Sequence, residues 1–172
     1  IADVSTYVTP NSPLDKEARA RCTSVYLPGM TVPMLPEALS TGLCSLNPGV
    51  DRLALVCRVK VSLDGKLLSW KFVSSIIRSQ ARLTYTQVFQ RMSGSATTAL
   101  GSPAVEKSLD ALDALYRVLL AARRQRGVLE FNDKEPRLQT RLDGGYDLVW
   151  EERNDAHRLV EELMLLGNQA AA

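Results

Sequence analysis

Four prolines between Thr23 and Arg52 constrain the fold of this chain more than any other feature. The stretch reads TSVYLPGMTVPMLPEALSTGLCSLNPGVDR, with prolines at 28, 33, 36 and 48. Each fixes its own φ and removes a backbone donor, and each pushes the preceding residue toward extended geometry. The bends are therefore set locally. A connector this rigid, rich in Ser, Thr and Asn, is expected to present something. What it presents first is Tyr26, held between Val25 and Leu27 just before Pro28. From the residues alone, Tyr26 is either an ordinary half-buried strand aromatic or a displayed ring.

The totals set wide bounds. A length of 172 residues is that of one domain with a real core. The 45% hydrophobic and 23% charged content reads as globular. A net charge of +2 gives no pointer to nucleic acid. The basic residues are uneven, with Arg78 and Arg82 as one pair and Arg123, Arg124 and Arg126 as a cluster at a helix end. That cluster also answers the helix dipole. Cys22, Cys44 and Cys57 are odd in number and form no C-x-x-C pair, so they read as free thiols, small core residues in a reducing compartment. No apolar run approaches the roughly 18 residues of a membrane span. The opening IADV lacks Met and shows no signal-peptide pattern, so the natural N-terminus is expected upstream.

Along the chain, Ile1–Val8 reads as a strand and Leu14–Arg21 as a short helix, acidic early and basic late. Thr23–Leu27 is extended, and Pro36–Ser40 reads as one helical turn closed by Gly42. Arg52–Val61 and Lys66–Ser75 flank Asp64-Gly65, a hairpin signal. Alternation of Leu68, Trp70 and Phe72 with Ser69, Lys71 and Val73 predicts one buried face. Thr84 and Gln87 have capping-box spacing for a helix to about Met92. Ser93–Ser102 reads as a flexible loop. Ser102, Pro103 and Gly127 delimit a helix over Pro103–Arg126, with Val105, Leu109, Leu112, Leu115, Tyr116 and Leu119 as its stripe. Arg137–Leu142 and Tyr146–Glu151 flank a second hairpin turn, and Asn154 caps a last helix through about Asn168. Hairpins and helices in irregular succession give an α+β chain, with mixed or antiparallel sheets packed against several helices.

The last helix carries the chemistry of interest. Ala156, Leu159, Val160, Leu163 and Gly167 form a core stripe, with His157, Glu161 and Asn168 on the adjoining face. Glu162 sits four residues from Arg158, the spacing of a surface ion pair. A polar residue beside a buried stripe is either satisfied by packing partners or lines a site, and Glu161 is open to both readings. His157, the lone histidine, reads as a structural residue of the first turn. Asp110 and Asp113 fall on the solvated face of the long helix and make a poor metal pair. No nucleotide-loop, zinc-protease or nucleophile-elbow word occurs.

Taken together, the words IADVSTYV, VYLP, PMLPE, GLCSLNP, VDRLA, IIRSQARLTY, RG…F at Arg126–Phe131 and RNDAHRLVEELMLLGN resemble the ribonuclease II / ribonuclease R family of 3′→5′ exoribonucleases, the RNB domain. They occur in the family's order and span nearly the whole chain; Ser93 to about Tyr116 matches loosely. The words VYLP, SLNP and NDAH shade toward the ribonuclease R-like branch.

The resemblance implies roles. Glu161 matches a glutamate at the active site that contacts the 3′-terminal nucleotide of single-stranded RNA. Tyr85 matches a tyrosine that favours ribose over deoxyribose. Tyr26 and Phe131 match two aromatics that stack on the terminal bases, a contact worth roughly 1–3 kcal/mol per base and blind to sequence. Family enzymes hydrolyse phosphodiesters with Mg²⁺ on an aspartate word ending D-x-D-D. No such word stands in this sequence, and its aspartates are expected upstream of Ile1. The chain is thus expected to be one partial RNB-type domain, truncated at both ends and inactive alone. Its parent is expected to be a processive Mg²⁺-dependent exoribonuclease releasing nucleoside 5′-monophosphates, with flanking oligonucleotide-binding domains and no membrane association. The expected compartment is the cytoplasm, with mitochondrion or plastid as alternatives. A different class also fits, an inactive RNB-derived RNA-binding or scaffold subunit. Two smaller departures, Cys22 where the family commonly has Gly and Gly167 where it has Ala, read as packing differences.

Overall fold

The computed structural model describes residues 1–95, 99–128, 135–141, 144–151 and 153–172. Its elements are α1 (Pro13–Arg21), β1 (Val25–Leu27), β2 (Met30–Val32), β3 (Asp51–Val61), β4 (Leu67–Arg78), α2 (Tyr85–Met92), α3 (Pro103–Gln125), β5 (Glu135–Thr140), β6 (Tyr146–Glu151) and α4 (Asp155–Ala171). Among the described residues the strands pair β1 with β2, β3 with β4 and β5 with β6. This is an α+β chain. It divides into two compact units: Ile1–Val56 with Ser74–Ser79 and Glu135–Glu151, and Cys57–Val73 with Gln80–Lys134 and Glu152–Ala172.

In the first unit, the strand expected over Ile1–Val8 shrinks to one antiparallel bridge, Ala2 to Ala54. The chain then turns into a 3₁₀ helix over Val4–Thr6. Asp3 and Ser5 cause the break, since the Ser5 hydroxyl donates to the Asp3 carboxylate at 2.5 Å, a local bond that competes with strand pairing. Helix α1 starts on Ser12, whose Oγ accepts from the Asp15 N–H, with Pro13 at the first position. Asp15–Arg19 and Glu17–Arg21 pairs run along it at 3.1 and 2.8 Å.

The helix ends at Cys22 with φ 61 and ψ −40, a region L-residues avoid and glycine does not. Cys22 is also exposed. The departure at this position is therefore a backbone matter, and the expectation of a core thiol there is corrected.

The proline stretch holds a strand that sequence reading missed. Pro28-Gly29 turns β1 back as β2, pairing Val25 with Val32, Tyr26 with Thr31 and Leu27 with Met30. Gly29 takes φ +75, as the third position of a Pro-Gly turn requires. The turn expected at Pro36–Ser40 is wider, a π-helix over Ala38–Leu43. It is closed by the Cys44 N–H on the Leu39 carbonyl at 2.8 Å, and it buries Leu39. Arg52 Nε donates to the Ser45 carbonyl at 2.9 Å, and Arg78 pairs with Asp51 at 2.7 Å.

In the second unit, α4 packs against α2 and α3. Tyr116 and Leu119 of α3 and Ala156, Leu159, Leu166 and Ala170 of α4 are buried. The Ser102–Pro103 start and the Gly127 stop of α3 are as expected. The Asp64-Gly65 turn does more than reverse the chain. A Cβ on Gly65 would lie 2.7 Å from the Ala122 Cβ and 3.1 Å from the Val118 carbonyl, so the turn's backbone packs directly on α3.

Two expectations fail in this unit. Leu68, Trp70 and Phe72 alternate as read, yet that face of β4 is exposed, Trp70 at 54%. Period-two alternation chooses an apolar face without supplying a cover for it. Asp113 is largely covered, pairs with Arg117 at 3.0 Å and leaves Oδ1 buried without a hydrogen-bond partner among the described residues.

Candidate functional site

Asn154 opens α4 with a capping box. Its Oδ1 accepts from the Ala156 and His157 N–H groups, and the His157 ring returns to Asn154. His157 therefore has the first-turn role the sequence suggested, and a second one besides. Tyr85 is the first residue of α2, set there by the reciprocal Thr84–Gln87 cap. Its ring stacks on the His157 imidazole, with centroids 3.9 Å apart and planes 20° apart. Tyr85 remains 47% exposed.

One turn further along α4, Glu161 is held from two directions. Arg123 Nη1 donates to its Oε1 at 3.2 Å, and Arg153 Nη2 donates to its Oε2. Its side chain is 33% exposed. The same Arg123 nitrogen lies 2.6 Å from Oε1 of Glu162, whose side chain is only 6% exposed. Glu162 is thus the buried carboxylate of this helix, and its expected surface pair with Arg158 is not the arrangement found. Arg158 bonds Asp155 instead, at 3.4 Å. The bond from Glu162, seconded by Glu161 against the opposing effect of burial, raises the pKa of Arg123 above its ordinary value. Arg123 is therefore bound into the helix pair and is more than an answer to the α3 dipole.

The structure brings two of the four sequence-predicted site residues, Tyr85 and Glu161, to one helix. Residues four apart lie on the same face, and His157 and Glu161 have that spacing. Tyr26 belongs to the other unit, where it projects from β1 at 79% exposure. It is a displayed ring, not a half-buried one. Phe131 lies outside the described residues. Sequence reading missed Arg123 and Arg153 as partners of Glu161. Arg153 immediately precedes the Asn154 cap and was findable, whereas Arg123 is 38 residues away and carried no local signal.

A resident Mg²⁺ would need clustered carboxylates. Among the described residues no group of three or more His, Cys, Asp or Glu side chains could hold a metal ion. The acidic residues nearest the site are already engaged by arginines. The residues described do not fit the ion, and none is assigned to it.

What this arrangement offers is a displayed phenol ring, an anchored carboxylate with open edges and a separate exposed tyrosine. Residues 1–172 match the RNB domain.

The chain belongs to the RNB domain family.

Ribonuclease R of Escherichia coli strain K12 is 47% identical over 173 residues, covering 100% of this RNB chain and 21% of that protein. Ribonuclease R of Vibrio cholerae serotype O1 is 47% identical over 176 residues, again covering 100% of this chain and 21% of its own length. Mycoplasma genitalium RNase R, solved in complex with ribose-methylated single-stranded RNA, superposes with a TM-score of 0.90 at 34% identity, covering 98% of this chain and 26% of that one. The RNB chain therefore spans about a fifth of the curated relatives it matches. The family resemblance and the α+β fold read from the sequence are both borne out. No helix among the described residues is long and apolar enough to cross a membrane.

Proposed function

We propose that the protein containing this chain is a processive 3′→5′ exoribonuclease that releases nucleoside 5′-monophosphates from single-stranded RNA. The observation that carries this reading is the stacking of Tyr85, from α2, on His157 of α4, one helical turn before Glu161, in an RNB chain 47% identical to Ribonuclease R. Mg²⁺ would be its cofactor and would supply an activated water and charge stabilisation, with none of the described residues assigned to hold it. The cytoplasm is its compartment. In the whole protein, oligonucleotide-binding domains flank the RNB domain to which this chain belongs.

Within that reading, Glu161 positions the terminal nucleotide. An ionised carboxylate has about four acceptor sites, and the arginines occupy one on each oxygen. The remaining lone pairs are free to accept ribose hydroxyls. The 2′-hydroxyl is what distinguishes RNA from DNA, and Tyr85, stacked on His157 one helical turn before Glu161, senses it. Tyr26 and Phe131 stack on bases, gripping RNA of any sequence.

The test uses the full-length protein with 5′-labelled single-stranded RNA. Stepwise shortening that needs Mg²⁺ and yields 5′-mononucleotides supports the enzyme. Tyr26→Ala should change grip or final product length while cleavage persists, and Glu161→Ala should depress the rate. RNA binding with no cleavage at any Mg²⁺ concentration would replace this reading with that of an inactive scaffold.

A further inference from the structure

We infer that His157 is a positioning residue that sets ribose selectivity by holding the ring of Tyr85, an inference that rests on the proposed role of Tyr85. Tyr85 stands at the first position of an eight-residue helix, half exposed, so little in its own element fixes its side chain. Among the described residues, the near-parallel stack on His157 is the ring contact that ties it to α4.

His157 is itself fixed. Nδ1 lies 2.9 Å from Asn154 Oδ1 and 3.4 Å from the Asn154 backbone nitrogen. Protonated, Nδ1 donates to the amide oxygen; unprotonated, it accepts from the backbone N–H. In either tautomer the imidazole is tied to the helix cap and cannot rotate without releasing it. A rigid ring beneath Tyr85 leaves it one face and two edges to offer. Because His157 precedes Glu161 by one turn, the stack also puts Tyr85 in register with the carboxylate that Arg123 and Arg153 hold. The cap, the imidazole and the phenol thus form one chain of contacts, one helical turn before the carboxylate. Small losses of Tyr85 order should appear as lost discrimination before they appear as lost turnover.

The experiment compares degradation by the full-length protein of two substrates, all-ribose RNA and the same RNA with 2′-deoxy nucleotides at its 3′ end. Variants are His157→Asn, which keeps a polar partner for Asn154 without a ring, and His157→Phe, which keeps a ring without the polar partner. His157→Asn should lower the ribose preference about three- to tenfold, the worth of an aromatic stack, with the change in kcat/KM for the deoxy substrate. His157→Phe should retain the preference despite a lower Tm. Wild-type selectivity in His157→Asn, or equal loss in both variants, would overturn the inference. Tyr85→Ala separates the two readings: if it leaves ribose preference intact, the role proposed for Tyr85 fails. If Tyr85→Ala abolishes the preference while His157→Asn does not, only the positioning role fails.

Discussion

Arg123 and Glu162 meet at 2.6 Å, with one side chain 21% and the other 6% exposed. Glu161, next in the chain, takes a weaker share of the same guanidinium nitrogen at 3.2 Å. Neighbouring glutamates therefore divide the labour. Glu162 is turned inward and ties α4 to α3, while Glu161 stays at the edge, where a ligand can reach it. Two charges this well covered are each costly to leave alone, so the pair must be kept whole for α4 to stay seated.

Glu162→Ala should therefore destabilise the fold by on the order of 2 kcal/mol, because it leaves the largely covered guanidinium with only its weaker Glu161 contact. Glu161→Ala should cost less than about 1 kcal/mol, as a partly exposed pair does. Urea unfolding of the three proteins measures both. The double variant Arg123→Met, Glu162→Leu should recover most of the loss, because it removes both charges at similar volume. Equal losses for the two alanine variants would show that Glu162 is not the anchor.

Tyr116 gives a pH dependence. Its hydroxyl donates to Asp155 Oδ1 at 3.2 Å, and burial, reinforced by the Asp155 charge, pushes its pKa up to about 12 from 10.0. The unfolded chain loses this proton first. The phenol's stability contribution is thus complete below pH 10 and is lost as pH rises through 12. Absorbance titration near 295 nm should show a tyrosine ionising close to pH 12, and Tyr116→Phe should abolish that phase and flatten stability above pH 10.

Local signals were the legible ones. The Thr84–Gln87 box, the Ser102 and Asn154 caps and the Asp64-Gly65 turn all depend on residues within a few positions, and each stands where the sequence put it. The irregular succession of hairpins and helices carried the fold class, and the family words named Tyr85 and Glu161. The direction in which α4 faces was not legible. Ala156 and Leu159 extend equally well at helical spacing to Leu163 and Gly167 or to Glu162, Leu166 and Ala170. The second stripe is the buried one, and the partner that satisfies its glutamate is Arg123, 39 residues earlier. Burial of the Trp70 face failed for a related reason, since periodicity says nothing of what lies opposite. The strand β2 was readable from Pro28-Gly29 between two short apolar runs, a turn signal absorbed into the idea of a rigid loop.

The contact of Gly65 with α3 predicts an asymmetry between two glycines. Gly65 and Gly127 take nearly the same backbone angle, φ +79 and +81, but a Cβ at Gly127 meets nothing within 4 Å. Gly127→Ala should cost only the conformational strain, about 1 kcal/mol. Gly65→Ala adds a clash with Ala122 and should cost about 1–3 kcal/mol more. Denaturation midpoints of the two variants measure the difference. If they match, the turn can shift away from α3 and the close packing does not constrain it.

Cys22 and Gly167 predict gains in stability from opposite exchanges. Cys22 ends α1 with φ 61 and ψ −40, where a side chain crowds the backbone and glycine does not. Among the described residues its thiol makes one hydrogen bond, to the Arg19 carbonyl at 3.2 Å, too weak to repay that strain. Cys22→Gly should stabilise by about 1 kcal/mol, whereas Cys22→Ser keeps the Cβ and should not, which separates backbone strain from thiol chemistry. Gly167 is the reverse case. It lies inside α4, and a Cβ there meets nothing within 4 Å. Gly167→Ala should gain roughly 0.8–1 kcal/mol, because glycine in a helix interior carries an entropic cost that alanine avoids. Thermal unfolding should show each as a rise of a few degrees in Tm. A fall in Tm for Cys22→Gly would mean that the thiol holds the end of α1 and that the backbone there is not strained.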